Sequence, residues 1–83
     1  MTNQQVRNPA SILSTSLREL RENMGLTQVE LATRLKVTQS FVSKYESGER
    51  RLDFIEVYGI CGVLNTSFAT FSKTFADRMG VQP

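Results

Sequence analysis

Eighty-three residues, 40% of them apolar and 22% charged, suit one compact folded domain and exclude both a second domain and a disordered chain. A single cysteine and no histidine exclude an internal disulfide and a thiolate metal cluster, and remove the commonest general base together with the commonest metal ligand. The net charge of +2 is uneven, +3 over residues 1–51 and −1 over residues 52–83, which suits an anionic partner without identifying one.

Residues 1–7 are polar and expected to be disordered, with a single domain over residues 8–83. Met1 to Ala10 lacks the apolar run of a secretion signal, so a cytoplasmic, nucleoid-associated location is expected. Asn8-Pro9 reads as an N-cap followed by proline at the first helical position. Leu13, Leu17, Leu20 and Met24 then recur at helical spacing, the buried stripe of a first helix, and Gly25 ends it where a left-handed residue is wanted.

Thr27-Gln28-Val29-Glu30 is a capping box opening a short second helix, with Leu31, Ala32 and Leu35 on its inner side. Thr38 caps a third helix, which Ser47-Gly48 closes. Asp53 caps a fourth, whose expected inner positions are Phe54, Val57, Tyr58, Cys61 and Leu64. Cys61 reads as a small apolar core residue. Gly59 and Gly62 weaken this helix by about 1 kcal/mol each relative to Ala and suggest close backbone approach to another helix. The run from Val57 to Leu64 is the longest nearly uncharged apolar stretch and is too short to cross a bilayer, so no membrane partner is expected. Asn65 stops the fourth helix and Ser67 opens a fifth, over 67–79, with Phe68, Phe71, Phe75 and Met79 along one side. No strand-like alternation competes, so the fold class is all-α with five short helices.

The segment from Met24 to Arg51 carries the functional signal. Two short helices joined by a tight turn are the geometry that lays a second helix in the major groove of DNA. On the third helix Val42, Tyr45 and Glu46 fall on one side; Ser40, Ser43, Lys44 and Ser47 fall on the other, with Gln39 at the exposed tip. That outer face is polar and cationic without a carboxylate. Gln pairs bidentately with adenine, Lys reaches guanine acceptors and Ser adapts to either. A merely solvated helix has the same composition, so the face alone does not decide.

The spacing L-x-x-L-R-x-x-x-G-L-T-Q-x-x-L-A, then S/T-Q-x-x-[IV]-S-x-x-E-x-G, is met by Leu17, Leu20, Arg21, Gly25, Leu26, Thr27, Gln28, Leu31 and Ala32, then by Thr38, Gln39, Val42, Ser43, Glu46 and Gly48. In this the chain resembles the Cro and phage-repressor type of helix-turn-helix, the xenobiotic-response-element family, from about Leu13 to Leu64. The resemblance implies a lambda-repressor-like domain with its helix-turn-helix over 27–47. It implies a repressor-like transcriptional regulator of double-stranded DNA operators, with no cofactor and no catalysis.

The resemblance implies roles for particular residues. Gln39, Ser40 and Lys44 match the base-reading positions. Gln28 matches the glutamine that clamps a phosphate at the second helix N-terminus, and Ser43, Ser47, Arg50 and Arg51 match positions near the DNA backbone. Arg21 and Glu46 match a pair bridging the first and third helices. Lys36 departs from the family's turn glycine, at a cost on the order of 1 kcal/mol if it is left-handed, and its ammonium is placed to reach a phosphate. Phe41 either touches a thymine methyl or covers the core edge.

One helix-turn-helix unit contacts few base pairs, so specific operators need two. With Phe68 in the core, Phe71, Phe75 and Met79 are expected at the two-fold interface of a homodimer on an inverted repeat. The alternative is an antitoxin-like or bridging module of the same family, partnered by a toxin-like protein or RNA polymerase.

Overall fold

The computed structural model describes residues 8–80, so the expectation for residues 1–7 lies outside the described residues. Helix α1 spans Pro9–Asn23, α2 Gln28–Leu35, α3 Gln39–Ser47, α4 Phe54–Val63 and α5 Phe68–Met79.

A side-chain oxygen caps every helix start. Asn8 accepts from the N–H groups of Ala10 and Ser11 at 2.9 and 3.2 Å, Thr38 from Phe41 at 3.2 Å, and Ser67 from Thr70 at 2.9 Å. Two starts are reciprocal capping boxes: Thr27 with Glu30, and Asp53 with Glu56. The bond from the Thr27 backbone holds the Glu30 carboxyl below its ordinary range. Residues that end helices enter the left-handed region, and two of them carry side chains: Lys36 at φ 61° and Asn65 at φ 60°.

α1 packs on α3 and α5, α2 on α3 and α4, and α4 on α5. Leu17, Leu31, Val42, Tyr45 and Cys61 are fully buried where these helices meet, with Leu26, Ala32, Val57, Ile60, Leu64 and Phe71 around them. Truncating one of the large aliphatic side chains here to alanine costs about 2–5 kcal/mol. Burial pushes the Cys61 thiol up, which suits an inert packing role. The Arg78 guanidinium donates to the buried Ser16 hydroxyl at 2.9 Å and meets Glu19 at 2.6 Å, tying the end of α5 to α1. Among the described residues, no single helix is long and apolar enough to cross a membrane.

Four expectations are corrected. On α4, Phe54 and Tyr58 are exposed at 69% and 63%, whereas Ile60 is buried at 2%. The buried stripe runs Val57, Ile60, Cys61 and Leu64; α4 is apolar nearly all round, so spacing did not mark which side turns inward. Gly59 and Gly62 lie on the outer side, and a Cβ placed on either meets no heavy atom within 4 Å, so they serve no helix contact within the subunit. Met24, at the α1 C-cap, is exposed rather than part of the buried stripe. Phe71, expected at a two-fold interface, is 4% exposed and belongs to the subunit's own core, because α5 turns that position toward α1 and α4. Phe75 and Met79 are half-buried, and Phe68 packs edge-on against Phe54 and Tyr58.

Candidate nucleic-acid interface

The turn between α2 and α3 is closed by the Val37 N–H donating to the Ala32 carbonyl at 3.0 Å, with Lys36 left-handed in the middle. This sets the N-terminal tips of the two helices side by side. Val42 and Tyr45 fix the inward face of α3 in the core.

Glu46 completes that inward face at 7% exposure. The Arg21 guanidinium reaches it from α1, Nε to Oε2 at 2.7 Å and Nη2 to Oε1 at 3.0 Å, and gives its remaining nitrogen, Nη1, to the Leu26 carbonyl at 2.7 Å. The bond to Glu46 raises the Arg21 pKa further above its usual value. Gln28 joins the cluster, donating from Nε2 to Glu46 Oε1 at 3.0 Å, and its own Oε1 accepts from Gln39 Nε2 at 3.3 Å. Two residues matched to different DNA roles, one to phosphate and one to bases, are thus bonded to each other.

The outer face carries Gln39, Ser40, Lys44 and Ser47, all exposed, with Ser43 half-buried. The Ser47 hydroxyl donates back to the Lys44 carbonyl at 3.1 Å and also caps the Glu49 N–H at 3.4 Å. Lys36 and Arg51 are exposed. Arg50 is committed elsewhere: Nη1 and Nη2 meet the two Glu56 oxygens at 3.2 and 3.1 Å, and its guanidinium carbon lies 4.5 Å from the Phe41 ring centroid. That bridge pulls the Glu56 carboxyl below its ordinary range. Phe41 itself stacks edge-on against buried Tyr45, with centroids 5.7 Å apart, and so covers the core edge.

Sequence reasoning missed the Arg50–Glu56 bridge, although the D-x-x-E capping box that presents Glu56 was there to be read. It also missed the outer patch of Phe54, Ile55 and Tyr58, with Ile55 at 73% exposure, for which the adjacent Phe54-Ile55 pair was the available signal.

The clp gene regulator ClgR from Corynebacterium glutamicum matches with a TM-score of 0.80 at 25% identity, over 90% of this chain and 80% of that one. A second crystal structure of ClgR gives 0.77 at 26% identity, over 88% and 94%. The restriction-modification controller protein C.Esp1396I, crystallised as a tetramer with its natural 35 base-pair operator, shares the fold with a TM-score of 0.81 at 21% identity, over 90% and 99%. No curated protein matches the chain. The helix-turn-helix model HTH_3 matches residues 17–71, which span α2, α3, α4 and the buried Arg21–Glu46 bridge, and the chain belongs to that helix-turn-helix family.

Proposed function

We propose that this protein is a sequence-specific regulator of transcription that binds double-stranded DNA without a chemical step. The observation that carries the reading is the outer face of α3: exposed, free of carboxylates, and held from behind by Val42, Tyr45 and the Arg21–Glu46 bridge. A rigid helix with such a face fits the major groove, where side-chain amides and ammonium groups meet base edges. ClgR and C.Esp1396I, a gene regulator and an operator-bound controller, support the same class of function.

In this reading Gln39, Ser40 and Lys44 read bases, and Lys36, Ser43, Ser47 and Arg51 approach phosphates with Gln28 behind them. Arg50 has its charge met by Glu56 and is assigned instead to joining the end of α3 to α4. The operator is an inverted repeat bound by a homodimer, with half-site centres about 34–36 Å apart. The two-fold surface is built on the outer stripe of α4, Ile55, Tyr58, Gly59 and Gly62, with Phe54 beside it and the half-buried Phe75 of α5 lining the same groove as Phe54. Selection of bound duplexes from a random library tests the reading. An inverted repeat protected by two copies is the expected result; one asymmetric site saturated by a monomer overturns it.

A further inference from the structure

A cleft of about 200 Å³ lies between the start of α1, the end of α3 with the segment that follows it, and α5. Leu13, Leu52 and Phe75 give it apolar walls and Tyr45 lines it from α3. Arg50 and Arg51 are the charged residues of its lining, which holds no carboxylate. Of the two-fold surface only Phe75 touches it. A cavity of about 150 Å³ holds a single aromatic ring, so this cleft takes a ring with a short substituent.

Two polar features of the lining ask for a ligand. The Tyr45 side chain is 1% exposed, and its buried hydroxyl has no hydrogen-bond partner among the described residues. Buried hydroxyls rarely go unpaired, because their lost hydration is then uncompensated. Burial also holds this phenol well above its ordinary pKa, so at neutral pH it stays protonated and available as a donor. The other hydroxyl of the wall is no rival, since Ser14 donates to the Ala10 carbonyl at 3.0 Å. The second feature is Arg51, which is exposed and forms no ion pair among the described residues, whereas Arg50 has its charge met by Glu56.

Apolar walls, one donor hydroxyl and one uncommitted cation define the complement. The occupant needs an apolar body and an acceptor-only head with one negative charge. A carboxylate is planar, matches the guanidinium fork and keeps lone pairs for a phenol. A phosphate dianion would leave one charge unmet, because the other cation of the lining is taken by Glu56. A neutral alcohol would leave Arg51 unused.

We propose that this cleft is an effector site for a small aromatic monocarboxylate, its ring on Leu13, Leu52 and Phe75 and its carboxylate shared between Tyr45 and Arg51. Occupation draws Arg51 from the DNA backbone, so ligand and duplex compete, each weakening the other by the same factor. That competition, though not the site, rests on the proposed role of Arg51 at a phosphate.

The test titrates the full chain with benzoate and with phenylacetate at constant ionic strength, following the NMR signals of Leu13, Leu52 and Phe75. Saturable shifts with a Kd on the order of 1 mM or below are expected. Acetate, which lacks the ring, and benzyl alcohol, which lacks the charge, should bind at least about tenfold more weakly. Tyr45→Phe should weaken benzoate about tenfold or more, and Arg51→Gln about fivefold or more. Tyr45→Phe strands no partner, so its thermal melt without ligand should match or exceed the parent's. On the selected operator, saturating benzoate should lower the affinity of the parent about fivefold and leave that of Arg51→Gln unchanged.

No saturable shift with either acid overturns the site, as does binding that Tyr45→Phe and Arg51→Gln leave untouched. A Tyr45→Phe melt well below the parent's would show a hydroxyl satisfied by water, and the site fails with it. If benzoate binds as expected while operator affinity stays put, the site stands and the competition through Arg51 is wrong. If Arg51→Gln binds every duplex as the parent does, Arg51 is no backbone contact, and that part of the proposed function falls separately.

Discussion

Arg21 and Glu46 are both withdrawn from water, and each satisfies a group the other would leave exposed to a low-dielectric interior. Removing one member of such a pair strands the other, which costs more than the pair itself contributes. Glu46→Ala should therefore lower stability by about 3–5 kcal/mol, and Arg21→Met with Glu46→Leu should recover part of that loss. Thermal melts of the three proteins check both statements, and a Glu46→Ala melt equal to the parent would show that the bridge is unimportant. Lys36 raises a second question at this scale. At φ 61° it holds a conformation that glycine adopts without strain, so Lys36→Gly should raise stability by about 0.5–1 kcal/mol. If its ammonium meets a phosphate, the same change should lower the slope of log affinity against log salt by about one. Gain in the melt with loss in the salt slope would mark Lys36 as a residue kept for DNA at the expense of the turn.

The helix ends were legible in the sequence because capping is local: Asn8, Thr27, Thr38, Asp53 and Ser67 each act within three residues. The inward side of α3 was legible for the same reason, since one apolar stripe faces one polar stripe. α4 resisted because nearly every position is apolar, and only packing against α2 and α5 selects Ile60 over Tyr58. The Gln28–Glu46 bond also lay beyond sequence patterns, since it depends on how α1, through Arg21, and the start of α2 are set against the C-terminal turn of α3. The second capping box makes a prediction of its own. Arg50 and the Asp53 N–H both hold Glu56 below its ordinary pKa, so its contribution is complete above the usual carboxylate range and fades as pH falls through it. Glu56→Gln should lose stability at neutral pH and show a shallower loss between about pH 5 and pH 3 than the parent does. Urea melts across that range check it; parallel curves for the two proteins would mean the Arg50–Glu56 bridge adds nothing.

At the scale of the whole molecule, the core draws on α1, α2, α3, the inner side of α4 and Phe71 of α5, which leaves the outer side of α4 as an apolar surface that the fold itself does not cover. Phe54, Ile55 and Tyr58 are all more than half exposed, and Gly59 and Gly62 continue the Ile55 stripe with open space above them. A patch with this much exposed aromatic and aliphatic surface and no charge in the stripe suits a second copy rather than a polyanion. Its glycines let a partner backbone come close across a two-fold axis. Ile55→Lys should then place a charge in the contact and give a folded monomer, while Phe71→Lys should bury an unpaired charge in the core and unfold the chain. Sedimentation and circular dichroism on the two variants separate the surfaces. The Ile55→Lys monomer should lose tight operator binding yet keep weak, salt-sensitive DNA binding, because each copy retains its own α3 face while the paired engagement of two half-sites is gone. A folded Ile55→Lys protein that remains a dimer would place the two-fold elsewhere, and an unfolded one would show that the outer side of α4 belongs to the fold.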